Sequence, residues 1–108
     1  MTVSEMAEKL SLTTLSLPDP DREVEGGYAG DMPSWVMGNA EQGDTWITIL
    51  NNRNVIAVAV LLDMSAVIVA EDSKLPDEVV ELAKSKEVNL FTSAESVFTL
   101  SAKVAELL

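Results

Sequence analysis

Apolar residues along this chain fall into short blocks divided by polar punctuation, and the spacing inside each block predicts its element. "MTVSEMAEKL" (1–10) reads as a short amphipathic helix, with Thr2 and Glu5 spaced as a capping box. "LTTLSL" (12–17) has the β-branched and apolar content of a short strand, and "PDPD" (18–21) breaks it. Residues 22–28 can continue extended, with Val24 and Tyr28 on alternate steps, until the glycines permit a turn. Asp31 is placed to cap a helix reaching about Asn39, with Pro33 tolerated in its first turn.

In the second half the pattern becomes regular. "DTWITIL" (44–50) alternates Trp46, Thr48 and Leu50 against Ile47 and Ile49, and both faces are largely apolar, as a central strand covered on both sides requires. "NNRN" (51–54) is a polar turn, and Asn54 can cap an almost wholly apolar helix over about 55–64. A helix without a polar face has to be buried on several sides or lie in an interface. "AVIVA" (66–70) is a second buried strand. Pro76 then opens a helix to about residue 86 that buries Val79, Val80 and Ala83. "VNLF" (88–91) is a third strand, Thr92 and Glu95 make another capping box, and the last helix carries Val97, Leu100, Val104 and Leu107 as a stripe widened by Phe98 and Ala105. Strand, helix, strand, helix, strand, helix in that order predicts an α/β fold: a mostly parallel or mixed sheet flanked by helices.

Composition narrows the chemistry. A length of 108 residues, without repeats or a linker, predicts one domain over 1–108. Eighteen acidic against seven basic residues give a formal charge of −11, which repels nucleic-acid phosphates and anionic lipid surfaces; neither is an expected partner. Cysteine and histidine are absent, so thiolate metal or cluster ligation and imidazole acid–base catalysis are excluded. No cofactor and no metal are expected, nor is enzymatic activity. The longest apolar stretch (55–70) is interrupted by Asp63 and falls short of the roughly 20 residues of a bilayer span. With a helix rather than a hydrophobic leader at the N-terminus, a cytoplasmic location is expected.

"VEGGYAGDMPSWVMGNAEQGDTWITI" (24–49) and the segment from Asn54 to the end resemble the DRTGG domain family. The residues that carry the resemblance are Gly26-Gly27-Tyr28 leading to Asp31, Ser34 and Met37, Gly43-Asp44 before the Trp-Ile-Thr-Ile strand, Asn54, and Pro76-Asp77. The string Asp-Arg-Thr-Gly-Gly itself is absent; Asp21-Arg22 followed by Gly26-Gly27 stands nearest to it. The resemblance implies a layered α/β/α fold similar to the N-terminal domain of HPr kinase, and a regulatory or ligand-sensing role. It also implies self-association as a homodimer, as in modules of phosphotransacetylases and of pyrophosphatases with CBS domains. Adenine nucleotides enter through the pyrophosphatase setting, and an association with a metabolic enzyme, hydrogenase included, is the alternative.

Candidate ligand-binding residues are Arg22, Gly26, Gly27, Tyr28, Asp31, Asn52, Arg53 and Asn54. The glycines, with Gly30, either offer amides to an anion or only shape a turn, and Asp31 places a negative charge on the same amides. Arg22 and Arg53 are the two cations in predicted loops: they are the natural clamps if a phosphate binds, and otherwise exposed arginines balancing nearby carboxylates. Arg53 and Asn54 are expected to flank a cleft at the end of the 44–50 strand. The run Asp19, Asp21, Glu23, Glu25 lacks calcium-loop spacing and reads as a solvated acidic segment. Tyr28, Trp35, Trp46, Met32 and Met37 are either core or a recognition patch, and the apolar 55–64 helix points to a homodimer that would cover it.

Overall fold

The structure is a computed structural model describing residues 1–108. Its elements run α1 (Val3–Lys9), β1 (Thr13–Ser16), β2 (Gly26–Ala29), α2 (Pro33–Asn39), β3 (Asp44–Thr48), α3 (Arg53–Leu61), β4 (Ala66–Val69), α4 (Asp77–Ser85), β5 (Leu90–Thr92) and α5 (Val97–Leu107). One five-stranded sheet has the order β1-β5-β4-β3-β2. The pairs β2–β3, β3–β4 and β4–β5 are parallel, whereas β1 joins β5 antiparallel with a register shift between Thr14 and Ser16.

The layering follows from this order. From β2 to β5 the chain steps across the sheet in one direction, and crossovers of constant hand put every connecting helix on the same face. There α2, α3 and α4 cover a core of Val36, Trp46, Val55, Ile56, Val67, Val69, Val79 and Leu90, among others. The opposite face is covered by α1 and α5, whose Val3, Met6, Leu100 and Val104 pack on Ile47, Ala66, Ile68 and Phe91. Neighbours Trp46 and Ile47, Val67 and Ile68, Leu90 and Phe91 thus serve opposite cores, as period-two alternation requires. The expected α/β/α architecture stands, with β3 internal as expected and β4 in the middle.

Helix 1 has its capping box: Thr2 accepts from the Glu5 amide at 3.1 Å, and Glu5 accepts from the Thr2 amide at 2.9 Å. Those bonds, backbone first, hold the Glu5 carboxyl below its ordinary pKa. Three other expected caps shift. Asp31 does not cap α2, whose N-cap is Met32; Asn52, not Asn54, caps α3; and Ser96, not Thr92, caps α5 by accepting from the Thr99 amide. The glycines at 26 and 27 lie in β2 and not in a turn. Helix α3 ends at Leu61, short of the expected residue 64. It stops in a Schellman turn in which Asp63 takes the left-handed position (φ 50°), with Asp63 N donating to Val60 O and Met64 N to Ala59 O. Glu87 and Ser11 end α4 and α1 in the same way. Phe98 is 83% exposed, and Ala105 is exposed too, so neither widens the buried stripe of α5; Val80 is only half-buried on α4. No helix is long and apolar enough to cross a membrane.

Candidate functional site

Parallel strands gather their connections at two rims, and the candidate residues divide between them. At the carboxyl rim lie Asp31 after β2 and Asn52, Arg53 and Asn54 after β3. Asp31 Oδ1 accepts from Thr48 Oγ1 at 2.8 Å and from the Ile49 amide at 2.9 Å, tying the ends of β2 and β3 together. Sequence reasoning had no means to find these partners, since they are 17 and 18 residues away. Asn52 Oδ1 accepts from the Asn54 amide at 3.0 Å. Asn51 Nδ2 donates to Lys74 O and Ser73 Oγ to Ile49 O, so neighbouring rim loops are stitched to one another.

Arg22 is at the other rim. Its Nη1 donates to Asp63 Oδ1 at 2.9 Å and its Nη2 to Asp63 O at 3.0 Å, just ahead of β4. Gly43, just ahead of β3, donates its amide to the same Asp63 carbonyl. Arg22 and Arg53 thus stand at opposite rims, Arg22 bound to Asp63 ahead of β4 and Arg53 at the start of α3. The bond to Asp63 holds the Arg22 guanidinium above its ordinary pKa, and the bonds from Arg22 and then Gln42 hold the Asp63 carboxyl below the usual range. A depressed carboxyl stabilises the fold above its unfolded pKa and loses that contribution as pH falls through the folded value. Asp63 is half exposed, so the pair contributes no more than about 1 kcal/mol. Arg22→Ala is expected to lower stability by about that amount at neutral pH and by less as pH falls through the lowered Asp63 value, in urea unfolding followed by circular dichroism.

The glycines have separate tasks. A Cβ at Gly26 would stand 2.6 Å from Asp44 Oδ1, so glycine allows the close approach of β2 to β3. The Gly30 amide is already committed to Ile47 O at 3.2 Å. The acidic run disperses: Glu23 pairs with the N-terminal ammonium at 3.2 Å, and the Asp19 backbone is held by Asn89.

Candidate residues line four cavities: Arg22 lines one of about 280 Å³ with Asp19, Asp63 and Lys86, Gly27 one of about 260 Å³, and Tyr28, Asp31, Arg53 and Asn54 two more open ones. One, of about 520 Å³, is lined by Tyr28, Ala29, Gly30, Asp31, Met32, Trp35 and Val36 beside the edge strand. Its Trp35 is 64% exposed, while Trp46 on β3 is wholly buried and donates Nε1–H to Gly30 O at 2.8 Å. The other, of about 440 Å³, runs between α3 and α4 and is lined by Arg53, Asn54, Ile56, Ala57, Val60, Leu82 and Lys86. Arg53 and Asn54 line this groove, which follows the helices away from the end of β3 where the cleft was expected. Lys86 was not read from the sequence as part of it. Its only signal there was being one of seven cations in an acidic chain.

The molecule is thus a three-layer α/β domain whose grooves are framed by helices and one open sheet edge. The same fold occurs in the crystal structure of the CBS and DRTGG domains of the regulatory region of Clostridium perfringens pyrophosphatase, complexed with the activator diadenosine tetraphosphate. The TM-score is 0.73 at 18% sequence identity, over 99% of this chain and 47% of that chain. This chain spans about half the length of that neighbour, and the likeness is one of fold. The expected resemblance to DRTGG-containing proteins holds for the fold. No protein-family model and no curated protein matches the sequence.

Proposed function

We propose that this chain is a non-catalytic regulatory module that senses a small phosphorylated ligand, adenine nucleotides foremost, in the groove between α3 and α4. Charge placement carries the reading. Arg53 and Lys86 line this groove and no carboxylate does, in a chain with 18 acidic and 7 basic residues. Arg53 is the first residue of α3, where free amides and the helix dipole also favour an anion. Ala57, Val60 and Leu82 supply an apolar bed for a ring. The activator bound to the structural neighbour is a nucleotide, which supports this ligand class. The groove presents cations and an amide side chain but no nucleophile beside a base, which suits sensing rather than catalysis.

The proposed setting is the cytoplasm and the proposed state a homodimer. Most of the apolar surface of α3 is covered within the chain, by burial of Val55, Ile56, Val58 and Ala59. Leu61 stays exposed beside the groove, and a second copy would cover it. Calorimetric titration with AMP, ATP, diadenosine tetraphosphate and adenosine tests the ligand. The phosphate-bearing compounds are expected to bind, with adenosine weaker and Arg53→Ala reducing their affinity about tenfold or more. Absence of saturable heat and of thermal shift with all four would reject the sensing role. Sedimentation of the same samples addresses the dimer separately, and a monomer at micromolar concentration with and without nucleotide removes it. The competing reading, an interaction subunit of a metabolic enzyme without a ligand, is favoured by the exposed Trp35 and Met32.

A further inference from the structure

The β2 edge differs from the other edge of the sheet. β1 is bulged, a common means of discouraging further pairing. β2 is Gly-Gly-Tyr-Ala, with no charge, proline or bulge within its four paired residues. Gly30 donates to Ile47 O, so backbone alternation turns Gly30 and Tyr28 toward β3 and leaves the N–H and C=O of Gly27 and Ala29 facing outward; ahead of Gly26 the alternation breaks, the Glu25 amide donating to Gly43 O. Both faces of this edge are hollow. On one is the 520 Å³ cavity with Tyr28, Met32 and Trp35; on the other is a groove of about 260 Å³ where Gly27 and Ala29 meet Ser101, Val104 and Leu108 of the C-terminal helix region.

We propose that the open edge of β2 is a docking site for an extended segment of another protein, with an aromatic or large aliphatic side chain set between basic residues. The added strand would pair with Gly27 and Ala29 and send alternate side chains into the two hollows. Charge selects the occupant. Between Arg22 and Arg53 the sequence has five carboxylates and no cation. Two of them, Glu25 and Asp31, are exposed at either end of β2. Asp31 uses only Oδ1 for Thr48 and Ile49, so Oδ2 is open to a basic partner. A second copy fits poorly, because two-fold antiparallel pairing about Tyr28 sets Glu25 of each copy against Asp31 of the other.

The probe is the labelled peptide KTVTFTVTK, with ETVTFTVTE as its charge-reversed control, read by fluorescence anisotropy and by amide hydrogen exchange on the full chain. Expected are saturable binding of the lysine peptide, at least tenfold weaker binding of the control, weakening by salt, and new protection at the Gly27 and Ala29 amides. Ala29→Pro deletes one outward N–H at an edge position where proline is tolerated, and Trp35→Ala empties one hollow. Each is expected to weaken binding about tenfold while the circular dichroism spectrum is retained. If Ala29→Pro does not fold, Trp35→Ala and the wild-type exchange pattern decide. No binding at about 1 mM peptide, or protection that spares Gly27 and Ala29, overturns the proposal. So does concentration-dependent protection of those amides without peptide, which would assign the edge to a second copy. Arg53→Ala should leave peptide binding unchanged, so this result and the nucleotide result stand or fall independently.

Discussion

Trp46→Ala is expected to cost about 3–5 kcal/mol of folding stability, the range for removing a large buried aromatic side chain. Trp46 has no exposed surface and packs in the core that α2, α3 and α4 build on the sheet. Its indole N–H also holds Gly30 O, so truncation leaves both a cavity and a carbonyl without its donor. A domain of this size has about 5–15 kcal/mol in all, so the variant sits near the limit of folding. Trp46→Phe keeps most of the volume and is expected to cost about 1–2 kcal/mol, chiefly through the lost hydrogen bond. Trp35→Ala, on the solvent side, should change stability by about 0.5 kcal/mol or less. Urea unfolding followed by circular dichroism measures all three. A loss under about 1 kcal/mol for Trp46→Ala would show that the β2–α2 connection is not anchored through this ring.

The second large effect is expected at Asn89, at the start of the last strand segment. Its side chain is buried and makes three bonds: Oδ1 accepts from the Asp19 amide at 3.0 Å, and Nδ2 donates to Asp19 O at 2.8 Å and Ser65 O at 3.0 Å. One residue thereby fixes the proline-containing segment after β1 against the turn before β4. Asn89→Ala strands these backbone groups and is expected to cost about 2–4 kcal/mol, given roughly 1–3 kcal/mol for each buried group left unpaired and partial access of water. Asn89→Asp should be worse at neutral pH, because a carboxylate oxygen would face two carbonyls; part of the loss should return as the carboxyl is protonated on acidification. Equal stability of the two variants across that pH range would contradict this account.

Asn89 also shows where sequence reading reaches and where it stops. A polar amide inside "VNLF" is a visible signal that something buried needs a partner, but the partners, Asp19 and Ser65, come from distant parts of the chain. The apolar strands were legible because burial on both faces leaves its mark in every residue of "AVIV" and in the paired Trp46 and Ile47. Helix ends were less so. The left-handed stops at Asp63 and Glu87 lack the glycine that announces such turns, and tertiary hydrogen bonds drew Asp31 away from the cap its position suggested. The candidate residues were recognisable by type, but their division between two rims was not. It depends on the direction in which the chain crosses the sheet.

Pairing β1 with β5 has a consequence for synthesis. Thr13 meets Thr92, so the strand of this sheet that is synthesised first waits for the one synthesised last before it gains a hydrogen-bonded neighbour. The intervening parallel strands each need a helix between them, which makes every ladder non-local and its closure entropically slow. A nascent chain stopped short of residue 90 would carry β1 as an orphan ribbon, and chaperone contact during translation is expected to concentrate there.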